Sequence, residues 1–376
     1  MITELGSLGK LDNQLITPTS YPGLMEDIWN DVVNIRLTGF TSERGGKELP
    51  GKELPLKAKM YAYYMSDEEV EKDGVGDGED GDTHSITTLP HSSLSGLWES
   101  LHYSTPLQSR LLSYAEVSLK ASTLGVNPNI CSFNRVVLLH GPPGTGKTTL
   151  ARGLAHKMAV RFGSAYSRSQ LVEIHSHSLF SKWFSESGKK ITQLFDRVEE
   201  ECEGGEALVA VLIDEVESLA GTRTCGAGEP SDGLRAVNAI LTGLDRLRRY
   251  PNCMVVTTSN MMGEGGIDDA FLSRCDLKVF VGGMGEEARY GVLREGILEM
   301  MRVGVVGDAD VPEYQEAKGK GTNLEALAGE TEGAEGRELR KVAMLGMVEA
   351  GAGETGTGLE AFVEFMRLGW RRRTEG

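Results

Sequence analysis

Between Gly96 and about Gly282, short and almost wholly apolar runs alternate with stretches whose apolar residues return every third or fourth position. Arg135-Val-Val-Leu-Leu-His140 has the composition of a strand covered on both faces, as do Leu208–Ile213, Met254–Thr257 and Val279–Val281. Leu171–His175 offers a fifth strand, and Thr149–Arg161 reads as a helix with Leu150, Leu154 and Met158 on one side. Alternating strands and helices predict an α/β fold, a doubly wound parallel sheet with helices on both faces.

The texture changes on either side of this stretch. After Gly282 the strands stop, and Glu286–Met301, Leu324–Ala328, Arg337–Ala350 and Leu359–Leu368 read as helices of a small helical lid over residues 283–376. Glycine-rich connectors such as Gly351-Ala-Gly-Glu-Thr-Gly-Thr-Gly358 predict short or weakened helices there, and Arg371–Arg373 reads as a frayed, solvated tail. Residues 1–95 predict a small α+β N-terminal domain, with strand patterns at Ile28–Leu37 and Lys57–Met65. It carries a tandem Gly-Lys-Glu-Leu-Pro (Gly46–Pro50 and Gly51–Pro55) and an acid- and glycine-rich stretch, Asp67–Asp82, with the composition of a flexible insert. Residues 96–282 then form the central domain.

Charge and cysteine content narrow the classes of function. Across 376 residues, 39 Lys and Arg face 55 Asp and Glu for a formal charge of −16, which argues against a nucleic-acid coat or a polybasic membrane binder. The five cysteines are far apart with no Cys-x-x-Cys, and the seven histidines show no metal spacing, so neither a disulfide scaffold nor a zinc module is expected. Met1–Lys10 has no basic stretch followed by an apolar one, and the longest apolar run, Ala207–Ile213, cannot span a bilayer; the expectation is a soluble intracellular protein.

The chemistry begins at Gly141-Pro142-Pro143-Gly144-Thr145-Gly146-Lys147-Thr148, which fits G-x-x-x-x-G-K-[ST] between an apolar strand and an amphipathic helix. Glycines let the chain curl so that backbone N–H groups point at phosphate oxygens, and the helix N-terminus favours the negative charge. Lys147 is placed to reach the β- and γ-phosphates, and the Thr148 hydroxyl to bind Mg²⁺. Val211-Leu-Ile-Asp214-Glu215 ends a buried strand in two carboxylates, Asp214 suited to holding Mg²⁺ and Glu215 to polarising a water for attack on the γ-phosphate. Alone, the acid pair would also serve as a helix cap. At the end of the next strand, Thr257-Thr-Ser-Asn260 places an amide where it can orient that water, although an Asn there also suits a turn. No Asn-Lys-x-Asp motif is present, so ATP is preferred over GTP. Arg274, in Phe271-Leu-Ser-Arg-Cys-Asp276, and Arg337, in Gly333-Ala-Glu-Gly-Arg337, are candidate guanidinium groups for the transferred phosphoryl, and spacing alone does not separate them from surface arginines.

With these residues in place the sequence resembles the AAA+ ATPases, and among them the pachytene checkpoint protein 2 family, also called thyroid receptor-interacting protein 13. The resemblance rests on Gly96-Leu-Trp-Glu-Ser-Leu-His, Asn134 through Thr148, His177-Ser-Leu-Phe-Ser-Lys-Trp-Phe-Ser-Glu-Ser-Gly188, Val211 through Ser218, Glu229-Pro-Ser-Asp232, Val237-Asn-Ala-Ile-Leu241 and Thr257–Asn260. It implies a homo-hexameric ring that uses ATP and Mg²⁺ to convert HORMA-domain proteins from a closed to an open form. An adaptor often presents the substrate, and the settings are meiotic chromosome axes and the spindle checkpoint. Location in the nucleus, on chromosomes and in the cytoplasm is implied, without direct contact with nucleic acid or membrane. The resemblance makes Arg274 the arginine that reaches a neighbouring subunit's nucleotide, Arg337 the lid arginine that reports nucleotide state, and Asn260 the sensor at the strand tip.

It also places Trp183 and Phe184 on a loop facing the central pore, with Thr222–Glu229 as a second pore loop. An aromatic pair on a loop can grip an extended peptide of any sequence by burying apolar area; taken alone, the same pair suits a core, while its Ser, Lys and Glu flanks suit the loop. The first ninety-odd residues, where the family binds substrate and adaptor, match it only faintly. Other ATP-driven protein unfoldases, and a nucleotide-gated scaffold with little turnover, are the competing readings.

Overall fold

In a computed structural model, the chain divides into two compact units, Met1–Ala62 and Tyr63–Gly376. The described residues are 15–16, 35–36 and 61 in the first unit and most of the second; residues 62, 69, 74–83, 128–129, 177–186, 221–230, 262–266, 352–355 and 376 are not described. In the first unit, β1 (Leu15–Ile16) pairs antiparallel with β2 (Ile35–Arg36), inside the stretch expected as a strand at Ile28–Leu37. The tandem pentapeptide lies outside the described residues. The strand expected at Lys57–Met65 does not form where it is described: Tyr63–Met65 are irregular, and Ser66 makes a bridge to His91.

The second unit is built on a seven-stranded sheet. Its strands are β3 (Glu71–Asp73), β4 (His84–Leu89), β5 (Val136–His140), β6 (Arg168–His175), β7 (Ala207–Asp214), β8 (Cys253–Ser259) and β9 (Leu277–Phe280), in the spatial order β3-β4-β6-β7-β8-β5-β9. The five strands from β6 to β9 run parallel, with β5 between β8 and β9; β4 and β3 add an antiparallel edge. The helices between them are α1 (Leu107–Thr123), α2 (Lys147–Phe162), α3 (Ser187–Cys202), the short α4 (Glu217–Ala220), α5 (Ser231–Leu247) and α6 (Asp269–Arg274).

The doubly wound arrangement follows from how each strand divides its side chains. Val136, Leu138, Val209, Val211, Ile213 and Val255 pack with Ile191, Phe195, Ile240 and Leu244 of α3 and α5. Their neighbours Val137, Leu139, Leu208, Ala210, Leu212, Met254 and Val256 point the other way, to Leu111 and Leu119 of α1 and Leu150, Leu154 and Met158 of α2. β5 and β7 are therefore apolar up to their last residue because each face meets a helical layer, and each fully buried Leu, Ile or Val contributes about 1.5–3 kcal/mol of hydrophobic stabilisation.

The boundary expected at residue 95 is corrected by this sheet. All six residues of β4 pair with β6, from His84↔Ile174 to Leu89↔Ser169, so a strand assigned to the N-terminal domain belongs to the central one. Within the acidic stretch, Glu71–Asp73 pair antiparallel with His84–Ile86.

After Gly282 come α7 (Glu286–Arg302), α8 (Tyr314–Ala317), α9 (Asn323–Glu330), α10 (Gly336–Ala350) and α11 (Leu359–Glu375), around a core of their own that includes Tyr290, Ile297, Leu327, Val342 and Phe362. Two expectations are corrected here. The glycines of 351–358 lie in the connector and leave α10 and α11 at 15 and 17 residues, and Arg371–Arg373 are the last turns of α11 rather than a frayed tail. Arg371 pairs with Glu330 at 3.2 Å, Arg372 with Glu349 at 2.7 Å, and Arg373 with Glu338 while stacking on Trp370. Three acids on α9 and α10 thus hold in helical order a basic run that remains exposed to solvent, as its composition implies.

Candidate functional site: a phosphate loop facing paired carboxylates

The parallel strands bring the motif residues together at their C-terminal ends. β5 ends at His140, and the chain turns through Gly141–Gly146 into α2. Gly141 has φ +149°, and a Cβ on it would lie 2.2 Å from the Val281 carbonyl oxygen, so only glycine fits between β5 and the end of β9. Gly144 and Gly146 take φ +75° and +86°, and a Cβ on Gly144 would collide with the Glu335 carboxylate. The loop is therefore pressed between the sheet and the residue that caps lid helix α10.

Lys147 is buried, and its ammonium donates to the carbonyls of Gly141 (2.8 Å) and Pro142 (2.6 Å). Burial holds it below the usual lysine range, opposed by the carboxylates of Glu217, Asp214, Glu335 and Glu215. The Thr148 hydroxyl donates to Asp214 Oδ1 at 2.9 Å. That pairs a hydroxyl and a carboxylate, hard oxygen donors of the kind Mg²⁺ takes together with phosphate oxygens and waters. The donor set fits the ion, and among the described residues no cluster of three His, Cys, Asp or Glu side chains offers a rival metal site.

Glu215 follows Asp214 in a left-handed conformation (φ +54°), unusual for a residue with a side chain. Its N–H donates to the Thr258 hydroxyl at 3.0 Å, and the same hydroxyl donates to Asp214 Oδ1. The turn directs the Glu215 carboxylate towards Asn260, whose Nδ2 lies 3.5 Å from Glu215 Oε1. The Asn260 N–H in turn donates to Glu217 Oε1 at 3.0 Å. Sequence reasoning assigned roles to Glu215 and Asn260 but none to Thr258 or Glu217. The strand register was the missing signal: Ile213 opposes Thr257, which puts Thr258 beside Asp214.

The remaining expected residues separate. Arg274 ends α6 and makes a two-pronged pair with Asp245 of α5 (2.8 Å on both arms), with a further bond to the Ala270 carbonyl. The bonds to Asp245 raise its pKa above the ordinary arginine value. Its side-chain bonds thus run to α5 and to its own helix. Arg337 is the second residue of α10 and is exposed. Trp183, Phe184 and the whole of Thr222–Glu229 lie outside the described residues. His175 ends β6 opposite Asp214.

The order of strands, the phosphate loop between β5 and α2, and the carboxylates at the tip of β7 define an AAA domain. The family model "ATPase family associated with various cellular activities (AAA)" matches residues 137–283. A pachytene checkpoint protein 2 homolog of Oryza sativa subsp. indica is 49% identical over 244 residues, covering 63% of this chain and 51% of the relative. The solved structure of C. elegans PCH-2 superposes with a TM-score of 0.77 and 30% identity, over 100% of this chain and 92% of that one. The chain belongs to the pachytene checkpoint protein 2 family. A more distant structure, the E. coli MS115-1 HORMA:CdnC:Trip13 complex, shares the fold at a TM-score of 0.56 and 16% identity, over 75% of this chain and 94% of that one. The chain spans about half to two thirds of the length of the curated relatives it matches.

Proposed function

We propose that this protein hydrolyses ATP and spends the free energy on converting HORMA-domain proteins from a closed to an open form, as a homo-hexamer and with an adaptor presenting the substrate. The observation that carries the ATPase reading is the convergence of Lys147, Thr148, Asp214, Glu215 and Asn260 at the strand ends. Family membership, and the HORMA protein named with the E. coli relative, support the choice of substrate.

Lys147 and the loop N–H groups would hold the phosphates, and Thr148 with Asp214 would hold Mg²⁺, which when bound neutralises charge on the phosphoryl oxygens. Glu215, with Asn260 beside it, is the group that takes the proton of the attacking water. Arg274, free of side-chain bonds to its own phosphate loop, suits delivery to the next subunit's nucleotide, and Arg337 at the start of α10 suits contact between lid and phosphate. Trp183 and Phe184 are assigned to gripping the substrate in the pore. The family's settings make nucleus, chromosomes and cytoplasm the proposed locations, with no direct nucleic-acid or membrane contact; among the described residues no helix is long and apolar enough to cross a membrane.

The test is ATP turnover by Glu215→Gln, which should bind nucleotide and hydrolyse none; wild-type turnover removes Glu215 from the mechanism. Mixing Arg274→Ala with Lys147→Ala subunits should restore part of the activity each lacks, and no rescue at any ratio contradicts shared sites. A HORMA protein whose conformation is unchanged after incubation with the active enzyme and ATP contradicts the substrate assignment.

A further inference from the structure

The strand that supplies Asp214 and Glu215 is followed by a third acid that the phosphate chemistry does not use. Glu217 opens α4, and its Oε1 accepts the backbone N–H of Asn260 at 3.0 Å. Its other oxygen, Oε2, is buried without a hydrogen-bond partner. The two residues before Asn260 are tied across the sheet, the Thr258 carbonyl accepting the Val216 N–H at 2.9 Å and the Ser259 carbonyl the Gly141 N–H at 3.2 Å, while the Ser259 hydroxyl donates to the Met261 carbonyl at 2.8 Å and accepts the Met261 N–H at 3.0 Å. The bond from Glu217 extends the join between β8 and the segment after β7 to the backbone of Asn260 itself. It is charge-assisted, a class worth about 1.5–3 kcal/mol, enough to select one backbone conformation among several. That conformation carries the Asn260 amide to within 3.5 Å of Glu215, a separation at the limit of a direct bond and short enough for both to share one water.

We propose that Glu217 is a positioning residue for ATP hydrolysis: its carboxylate holds the backbone of Asn260 so that the amide faces Glu215. The inference rests on the ATPase reading of the site. Glu217 is also the strongest of the carboxylates acting on Lys147, so the acceptor role and the charge must be separated. Gln keeps an oxygen acceptor and removes the charge; Ala removes both.

The experiment compares Glu217→Ala, Glu217→Gln, Asn260→Ala and the double variant Glu217→Ala/Asn260→Ala with the wild type in the full chain. Two readouts are taken: steady-state hydrolysis of Mg-ATP, and hydrogen exchange at the Asn260 amide. The Ala variant should lose about tenfold or more in kcat, the equivalent of about 1.4 kcal/mol, with KM for ATP within about threefold. It should also exchange the Asn260 amide faster, and Gln should restore both properties. The double variant should be no slower than Asn260→Ala alone, because Glu217 acts through Asn260. Unchanged exchange in Glu217→Ala, losses that multiply in the double variant, or a Gln variant as impaired as Ala would each overturn the proposal. If the wild type hydrolyses no ATP, the functional reading fails instead, and the exchange measurement still decides whether Glu217 holds Asn260.

Discussion

Thr258→Val replaces a hydroxyl by a methyl of nearly the same shape at a position where the hydroxyl does two jobs. Thr258 is 1% exposed. Its Oγ1 donates to Asp214 Oδ1 and accepts the Glu215 N–H at 3.0 Å, while its carbonyl accepts the Val216 N–H at 2.9 Å. Valine leaves the last bond and removes the first two. The bond to an ionised carboxylate is worth about 1.5–3 kcal/mol, and a buried N–H left unpaired costs about 1–3 kcal/mol. The left-handed conformation of Glu215 (φ +54°) stores a further ~1–2 kcal/mol, which those bonds hold in place. Relaxing the turn recovers that strain, so the site gives way before the fold does.

The expected result is a fall in kcat of about 10- to 100-fold, the scale set by an ångström of misplacement in a catalytic group. KM for ATP should stay within about threefold, because the bonds of Lys147 and the glycine turns do not involve Thr258. A loss of about 1–2 kcal/mol of stability should lower Tm by ~2–8 °C. Steady-state ATPase kinetics and calorimetry on the same preparations give all three quantities, with Thr258→Ser as the control that keeps the hydroxyl. A Val variant with wild-type kcat, or a Ser variant as slow as Val, refutes the argument that the hydroxyl holds the two carboxylates.

Two further predictions concern stability. A Cβ on Gly243 of α5 would lie 2.4–2.6 Å from three ring atoms of Phe195 on α3, a fully buried side chain, so overpacking of about 1–3 kcal/mol should offset or exceed the ~1 kcal/mol that Gly243→Ala gains in a helix; a raised Tm contradicts it. His156 is 4% exposed with Nε2 unpartnered, and burial, followed by Lys157, lowers its pKa from 6.5 to about 4, with a smaller lowering from His91 and an opposing pull from Glu99. The unfolded chain therefore takes up this proton at a higher pH than the folded one. The histidine's contribution is complete above about pH 6.5 and is lost as pH falls towards 4, by about 3 kcal/mol in total. Urea unfolding between pH 7 and 4.5 should show this slope in the wild type and a shallower one in His156→Leu, and equal slopes in the two refute it.

How much of this molecule could be read along the chain depended on whether the cause of a residue is local. The runs at Arg135–His140 and Leu208–Ile213 betray their strands because a strand between two helical layers has no polar face to keep. The phosphate loop is legible because Gly141, Gly144 and Gly146 take backbone angles that few other residues adopt. Helix α1 escaped notice although Leu107, Leu111, Ala115 and Leu119 return every fourth residue on its buried side, because polar residues lie between them and its mean character is neutral. Strand β4 was assigned to the wrong domain because His84, Ser85 and Thr87 are polar yet buried; their place is set by β6, more than eighty residues away. The helical order of Arg371–Arg373 was not legible because the acids that pair with them, Glu330, Glu338 and Glu349, lie on other helices.

The same distinction runs through the site. Groups assigned to phosphate or water are dictated by the chemistry of those partners, so Lys147, Thr148, Asp214 and Glu215 recur in a spacing that can be recognised without a structure. Groups that hold them are dictated by which atoms lie beside them once the sheet has formed. Thr258 meets Asp214 only because β7 and β8 pair in parallel with Ile213 opposite Thr257; a shift of one residue would turn Thr258 to the other face and put Ser259 in its place. Glu335 meets Gly144 only because the lid caps α10 directly over the phosphate loop. A carboxylate pressed on that loop would share the space with incoming phosphate charge, and like charges repel, so under the proposed function ATP at Lys147 would act on the end of α10 that also carries Arg337. The expected consequence is that the lid senses nucleotide through the glycine that gives Glu335 room, so a side chain at position 144 should disturb lid placement together with phosphate binding.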